Sequence, residues 1–560
     1  MKGLRWWALV LALALAAGGT TAAALRHTSA TFDEIVLVAG GLRGLERGTW
    51  GLVTSQPPLM MYAYGAAAST ASPALPPEKG EVWSVDRGWE YARTLFFRLG
   101  NDPVLVLDRA RMVGVGLVVV LVLSAGLLAA WVAGPTAGGL AALMVAATPD
   151  VLAHGGVAYD DLPLALAFLL AVWALDVAVR RPTPARGAGA GVVVALALGV
   201  KLSALALLPV GVLLVAMEAT TRRRDRGWWI DLGVSVVMGL LAAWATLMLL
   251  YRGDPTLTYF RLAFWRTVLH TEAGHPGAAY LLGHTSHTGW WYFYPVVFLF
   301  KTPAAFQVLL LVGAAALLGA LRAKGDVPAM WRSAVRWRGR GPVVGALVFG
   351  AFLMASHLDI GFRYALPVLP LLAVLTAAGL ARLWRRGRRE RAVIAVLLGL
   401  QVVSVATAYP DLLAYTSVWA GGRDRAHRVL VDSSLDWGQG LLELRRFMKD
   451  EGVKRVRLSY FGSAIPAAYG IDYVPLPSFF RLEGGDTGGP PPRFTVISAT
   501  TLHGLYLQGH DPFASYRSRT PYRVLGHTML VYDDGTGASG APGAADPGRP
   551  ERSVPSGRDP

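Results

Sequence analysis

The chain has 560 residues, of which 54% are hydrophobic and 16% are charged, and its formal net charge is +16. This charged fraction is well below the roughly 25% of ordinary soluble domains, which excludes a soluble globular protein. The absence of cysteine excludes disulfides, thiolate nucleophiles and cysteine-bound metals. Most of the positive charge lies in short turns between apolar runs, where it sets membrane topology, so we expect no nucleic-acid partner.

The chain begins with a basic and apolar segment. Lys2 and Arg5 flank the start of an apolar run over residues 4–25. We interpret this run as a retained first membrane helix, although the small residues 22–24 also fit a signal-peptide cleavage site. Residues 26–103 form a first outer loop under either interpretation.

This outer loop holds an acidic pair, Asp33 and Glu34, directly after the first apolar run. Ionised groups beside a bilayer are costly and usually functional. A carboxylate placed there can accept a proton from a hydroxyl, while a solvated helix start is the alternative interpretation. Pro57 and Pro58 stiffen the path of the returning chain.

Ten further apolar runs predict the remaining membrane spans and bring the total to about eleven. They cover residues 104–133, 136–152, 162–179, 187–202, 203–219, 228–251, 294–320, 342–356, 364–381 and 392–409. With a cytoplasmic N-terminus, four arginine-rich turns fall on the cytoplasmic side, as the positive-inside rule requires. These turns cover residues 180–186, 222–226, 322–340 and 382–391.

An odd number of spans places everything after Pro410 outside the cytoplasm. We therefore predict a transmembrane domain over residues 1–409 and a small extracytoplasmic α/β domain over residues 410–534. The apolar patterns predict strands at 429–432, 456–461, 494–499 and 529–532, with an amphipathic helix over 441–450. The Gly- and Pro-rich tail, residues 535–560, is predicted to be disordered.

In this topology, acids, bases and cations from several separate loops meet at the outer membrane face. They are His154, Asp160, Asp161, Lys201, Arg261, Arg266, His270, Glu272, His275, His284, His287, Lys301, His357, Asp359 and Arg363. A purely structural protein has no evident need for such convergence. Asp160 and Asp161 also fit the start of the following helix, where a carboxylate caps free amides.

The cations and the histidines each have two interpretations. Lys201, Lys301 and Arg363 either extend toward lipid headgroups or bind an anionic lipid phosphate. The four loop histidines fit no strong metal-ligand spacing. Trp437, in the sequence DWGQ, either contacts carbohydrate or packs a loop.

Several segments, spread over most of residues 30–470, occur in the order found in one known class of enzyme. They read TFDEIVLVAGGLRGLERG with QPPL, DRARMVGVGL, TPDVLAHGGVAYDDLPLALAFLL, LGVKLSALALLP, YLLGHTSHTGWWYFYPVVFLFKTP, DIGFRYALPVLP and SSLDWGQGLLELRRFMKDEGVKRVRLSYFG. In these segments the chain resembles the GT-C-type glycosyltransferases that depend on polyprenyl phosphate. That superfamily includes the protein O-mannosyltransferases of glycosyltransferase family 39 and the aminoarabinose transferases of lipid A.

The resemblance implies roles for the acidic residues. Asp33 would be the general base, Glu34 would support it, and Asp161 would be the second acid of the site. Some relatives bind a metal through an acid just before the proline pair, but Ser55 and Gln56 stand at that place here. We therefore assign no metal ligand and no cofactor; a divalent metal stays an alternative that no ligand motif in the sequence supports.

The resemblance also implies that cations bind the donor phosphate. They would be Lys201, Arg363 and Arg109, with Arg111 as the alternative to Arg109. The expected reaction transfers a sugar, mannose or another hexose or pentose, from a polyprenyl-phosphate donor to a hydroxyl of a protein, lipid or glycan. The expected location is a bacterial plasma membrane, and a transporter or flippase of an anionic or lipid-linked substrate is the alternative.

Overall fold

The computed structural model describes residues 2–48, 50–77, 87–222, 225–273, 277–485, 488, 490–507 and 511–535. The predicted disordered tail, from residue 536 onward, lies outside the described residues. Most of the described chain is helical, and a small sheet follows the last long helix.

The helices follow one another closely up to residue 408. In chain order they are α1 Lys2–Leu25, α2 Glu34–Arg47, α3 Leu59–Ser69, α4 Gly88–Arg93, α5 Pro103–Ala133, α6 Pro135–Ala146, α7 Pro149–Gly155, α8 Asp161–Arg180, α9 Pro184–Val200, α10 Leu207–Arg222, α11 Arg226–Leu250, α12 Thr258–Ala273, α13 Phe293–Lys301, α14 Ala304–Arg322, α15 Val327–Arg336, α16 Arg340–Ala355, α17 Val368–Trp384 and α18 Arg388–Ala408. Proline opens α5, α6, α7 and α9, where its missing N–H leaves no hydrogen bond unmade.

Each of the eleven predicted spans overlaps a helix of the structure, but the predicted span 294–320 is divided at residues 302–303 into α13 and α14. Within the described chain, seven helices are long and apolar enough to cross a membrane, and the pair α6 and α7, bent by 65°, makes an eighth if counted as one span. The shorter apolar helices α9, α16 and α17 account for the other three. The fold is therefore that of a polytopic helical membrane protein.

Small residues let some of these helices approach closely. A Cβ at Gly191 in α9 would lie 2.0 Å from the carbonyl oxygen of Gly239 in α11, so only glycine permits this crossing. Close backbone contact through small residues is typical of membrane helices, which gain little from burying apolar surface against one another.

Alternating helix directions give the bundle two ends with different side chains. The first residues of α8 and the segment 201–206, which precedes α10, lie at one end. Residues 26–34 and 356–367 lie at the same end. We call this the pocket end. The last residues of α5, α8 and α10 and the first of α16 lie at the opposite end, about 30 Å away along the 20-residue helix α8.

The chain after α18 returns to the pocket end and forms a five-stranded mixed sheet. A two-stranded hairpin, β1 Ala279–Leu281 and β2 His284–Ser286, precedes it in the chain. The sheet strands are β3 Val456–Ser459, β4 Tyr473–Pro475, β5 Phe494–Ser498, β6 Arg523–Leu525 and β7 Met529–Asp533, and the helices are α19 Leu441–Asp450, α20 Ala499–Leu502 and α21 Ala514–Arg517. Their order is β4-β3-β5-β7-β6, with β3 parallel to β4 and β5, and β7 antiparallel to its neighbours.

The sequence predicted this region only in part. Helix 441–450 and the strands near 456, 494 and 529 are confirmed, whereas the predicted strand at 429–432 is wrong. That segment lies between two short 3₁₀ helices, and Asp432 has a left-handed backbone with φ of 54°. The short strands β4 and β6 were not predicted, because three residues are too few to show an alternating pattern.

Candidate active site

Asp33 lies at the pocket end, just before the first turn of α2. Its carboxylate makes no capping hydrogen bond to that helix. Instead, Oδ2 accepts a hydrogen bond of 2.9 Å from Arg363 Nη1. Within the described part of the chain, no donor is found for Oδ1, and the side chain is 19% exposed. One oxygen of Asp33 is thus held in place while the carboxylate remains partly exposed.

Asp160 and Asp161 form the second acidic part of the site. Lys201, at the end of α9, donates to both, at 2.8 Å from Asp160 Oδ1 and 2.5 Å from Asp161 Oδ1. Asp160 occupies the N-cap position of α8 without making a side-chain capping bond. The helix-capping interpretation is therefore not what the structure shows, because these carboxylates bind a cation from another helix.

Arg363 connects the two acidic parts. It contacts Asp33 and also lies 3.5 Å from Asp161 Oδ2. Its guanidinium stacks on the indole of Trp437, with Cζ 4.4 Å from the ring centroid. A Cβ at Gly361 would lie 2.1 Å from Ser433 Oγ. Glycine is therefore needed for the segment before Arg363 to pack against the segment that contains Ser433.

The site therefore gathers three carboxylates and two cations. Lys201 and Arg363 also face the rings of Tyr159 and Tyr364, at 4.7 to 5.5 Å from the ring centroids. Burial raises the pKa of Asp33, and the charge of Arg363 opposes that rise. A carboxylate with a raised pKa is a stronger base than an exposed aspartate, which suits proton transfer.

Glu34 is adjacent to Asp33 in sequence but faces away from the pocket. Its carboxylate pairs with Arg111 of α5 at 2.7 and 2.9 Å, and both side chains are fully buried. It also accepts hydrogen bonds from the amides of Thr31 and Ala158. Glu34 thus fixes the segment before Asp33 and the loop before Asp160 with respect to each other.

A loop from the C-terminal part of the chain, residues 434–439, packs against the segments that carry Asp33 and Arg363. The amide of Phe32 donates to the carbonyl oxygen of Trp437 at 2.8 Å, and the amide of Ser29 donates to that of Gln439 at 3.1 Å. Ser434 Oγ accepts from the amide of Phe362. Trp437 is only 2% exposed, so it acts by packing on Arg363 rather than at the surface.

Aromatic side chains line the chain next to Asp33. Phe32 stacks on Phe461 and Phe480, at centroid distances of 5.2 and 5.5 Å, and meets Trp89 and Phe479 edge-on. These rings come from three distant parts of the sequence, and their apolar periodicity did not reveal that they would meet. The segment around Asp33 thus has an aromatic surface beside its partly exposed carboxylate.

Some predicted residues lie elsewhere. Arg109 is exposed and the structure does not bring it to the pocket, whereas its alternative, Arg111, holds Glu34. Lys301 neither extends to headgroups nor reaches the pocket, because it is buried against Asp150 at 3.1 Å. His275 lies outside the described residues. In the described ranges, no three metal-ligating side chains come together as a metal site.

Comparisons with known proteins found similarity of structure only. No family model and no curated protein sequence matches the chain. Two solved structures of ArnT, an aminoarabinose transferase, from Cupriavidus metallidurans are 14% identical to it: the form bound to undecaprenyl phosphate, with a TM-score of 0.46 over 94% of this chain and 97% of that one, and the apo form, with 0.49 over 95% and 98%. The archaeal oligosaccharyltransferase AglB from Archaeoglobus fulgidus is 12% identical, with a TM-score of 0.46 over 73% of this chain and 55% of that one. These proteins are of the polyprenyl-phosphate-dependent GT-C class that the sequence motifs resemble.

Proposed function

We propose that this protein is a membrane glycosyltransferase that moves a sugar from a polyprenyl-phosphate donor to an acceptor hydroxyl. The observation that carries the proposal is the setting of Asp33. One oxygen is held by Arg363, and the carboxylate is partly exposed at one end of a membrane helix bundle. A general base needs an oriented acceptor that a substrate hydroxyl can reach; Arg363 orients this carboxylate, and its partial exposure leaves it accessible.

Lys201 and Arg363 are the proposed partners of the donor phosphate. Both already contact carboxylates, so the phosphate joins an existing network of charges rather than meeting free cations. Arg363 is the one able to change partners, because Asp33 is more exposed than Asp161. When its guanidinium turns to the phosphate, Asp33 loses the cation that stabilises its charge and becomes a stronger base.

The proposed chemical step is a single displacement with inversion. The acceptor oxygen forms a bond to the anomeric carbon as the bond from that carbon to the phosphate oxygen breaks. The hydroxyl proton passes to Asp33, and polyprenyl phosphate leaves with both electrons of the broken bond. Lys201 and Arg363 stabilise the charge that develops on the leaving phosphate.

The aromatic surface beside Asp33 is the proposed contact for the acceptor or the sugar ring. Binding sites for uncharged parts of ligands are commonly lined by aromatic side chains with a few polar groups that fix orientation. A hexose or pentose donor and a protein, lipid or glycan acceptor all remain within the proposal. Mass spectrometry of exported proteins and envelope lipids, with and without the gene for this chain, would identify both.

A direct test uses the purified full-length protein and a polyprenyl-phosphate hexose labelled in the sugar. A transferase releases polyprenyl phosphate and passes the label to water or to an added envelope extract. A transporter or flippase leaves the donor intact and only moves it across a reconstituted bilayer. Intact donor after prolonged incubation with extract, in the presence of folded protein, would refute the proposed function.

A further inference from the structure

A large cavity lined by charged residues lies at the end of the bundle opposite to Asp33. It has a volume of about 640 Å³, and its walls come from the ends of α5, α8, α10 and α15 and the start of α9. Six arginines line it, but only one acidic residue, Glu218, does so. These arginines are Arg180, Arg181, Arg186, Arg222, Arg336 and Arg338.

A buried ion-pair network adjoins this cavity through the lining residues Arg180, Glu218 and Arg222, and it already uses the nearby acids. Arg340 binds Asp176 at 2.6 Å and also binds Glu218, and all three side chains are buried. Arg180 binds the other oxygen of Asp176 at 2.9 Å. Arg222 lies 3.4 Å from Glu218. The carboxylates of Asp176 and Glu218 are therefore already neutralised by arginines in the absence of a ligand.

The remaining arginines carry charge that nothing in the described chain compensates. Among the described residues, no carboxylate lies within ion-pair distance of Arg181, Arg186, Arg336 or Arg338. Arg338 donates to the carbonyl oxygen of Trp131 and stacks over its ring, so one guanidinium is oriented on the cavity wall. Four guanidiniums around one concave space strongly favour an anion with several acceptor oxygens.

We propose that this cavity is a second binding site, for a phosphate-bearing anion with at least two negative charges. Arginine-lined pockets between membrane helices suit phosphate headgroups of anionic lipids, and a soluble phosphorylated molecule offers the same chemistry. The site is separated from Asp33 by the length of α8 and does not depend on the proposed transfer reaction. Topology alone explains arginines at this end, but it does not explain their grouping around a cavity.

The test compares two double variants of the full-length protein. Arg181→Gln with Arg336→Gln removes two cavity guanidiniums whose side chains make no hydrogen bond or ion pair within the described chain. Arg386→Gln with Arg389→Gln is the matched control, because these exposed arginines lie at the same end of the bundle but do not line the cavity. Both pairs lower the net charge by two, and thermal unfolding establishes that both variants fold.

Two probes distinguish the sources of phosphate. Calorimetry measures inorganic diphosphate, and native mass spectrometry counts diphosphatidylglycerol retained from phosphatidylcholine nanodiscs. We expect wild type and control to bind at least one probe and the cavity variant to bind it at least about tenfold more weakly. Binding of diphosphate indicates a soluble source, and retention of the lipid alone indicates a headgroup. If the cavity variant and the control variant bind each probe with equal affinity, the proposal is overturned. Binding of neither probe to the wild-type protein would overturn it as well.

Discussion

Replacing Asp33 with asparagine removes the proposed base while leaving its surroundings in place. The amide has nearly the same volume, and its oxygen can still accept the hydrogen bond from Arg363 Nη1. Arg363 also keeps Asp161 at 3.5 Å, so its positive charge is not left without a partner. General-base catalysis contributes about 10²–10⁴-fold, so kcat should fall by that factor, which corresponds to about 2.7–5.4 kcal/mol of transition-state stabilisation.

The neighbouring substitution Glu34→Gln provides a matched control with the opposite expected outcome. It leaves the buried guanidinium of Arg111 without its counter-charge and points an amide group at donors, including the amide of Ala158. Breaking a buried pair by removing one partner costs about 3–5 kcal/mol. We therefore expect this variant to be lost from the membrane or to unfold at a much lower temperature.

The assay follows transfer of label from the sugar-labelled polyprenyl-phosphate donor by purified wild type and both variants, beside thermal unfolding of the same samples. We expect Asp33→Asn to unfold near the wild-type temperature and to turn over at least about 100-fold more slowly. Wild-type turnover by a folded Asp33→Asn protein would refute Asp33 as the base. A stable and fully active Glu34→Gln protein would refute the structural role given to Glu34.

Two further outcomes follow from the same network of charges. Lys201→Met leaves Asp160 and Asp161, which are 1% and 3% exposed, without their shared cation, so we expect a loss of about 3–5 kcal/mol in unfolding free energy. Adding Asp160→Asn should restore part of it, and no recovery would count against this pairing. Because Asp33 must be unprotonated to accept a proton and burial raises its pKa, activity should fall as the pH decreases. If the donor phosphate draws Arg363 away, the acid limb of kcat should lie at higher pH than that of kcat/KM; the reverse order would contradict partner exchange.

The membrane helices were predictable from the sequence because the bilayer imposes a strong constraint. Apolar runs must be long enough to cross it, and arginines mark the turns on one side. The region after residue 410 was harder to predict. The apolar segment 429–432 has the composition of a strand but packs as a loop, because Asp432 adopts a left-handed backbone beside the pocket. Composition does not reveal such a local conformation.

The candidate site was predictable as a set of residue types but not as a set of partners. The sequence places Asp33, Asp161, Lys201 and Arg363 at one membrane face, and the structure brings all four together. The sequence, however, gives no indication that Lys201 and Arg363 would already be paired with carboxylates. These pairings depend on contacts between segments up to 330 residues apart, and no local pattern encodes such distances.

The hydrogen bonds from Ser29 and Phe32 to the loop around Trp437 have a consequence for biosynthesis. The ribosome must add some 400 residues after Phe32 before the loop that accepts these hydrogen bonds has been made. At about 5–20 residues per second this takes roughly 20–80 s. During that interval the membrane helices are inserted while the segment before Asp33 still lacks these two hydrogen bonds. Residues 29–32 of the newly made protein therefore reach their final packing only after residue 439 has been made, and a chain that ends before this loop leaves them without these hydrogen bonds.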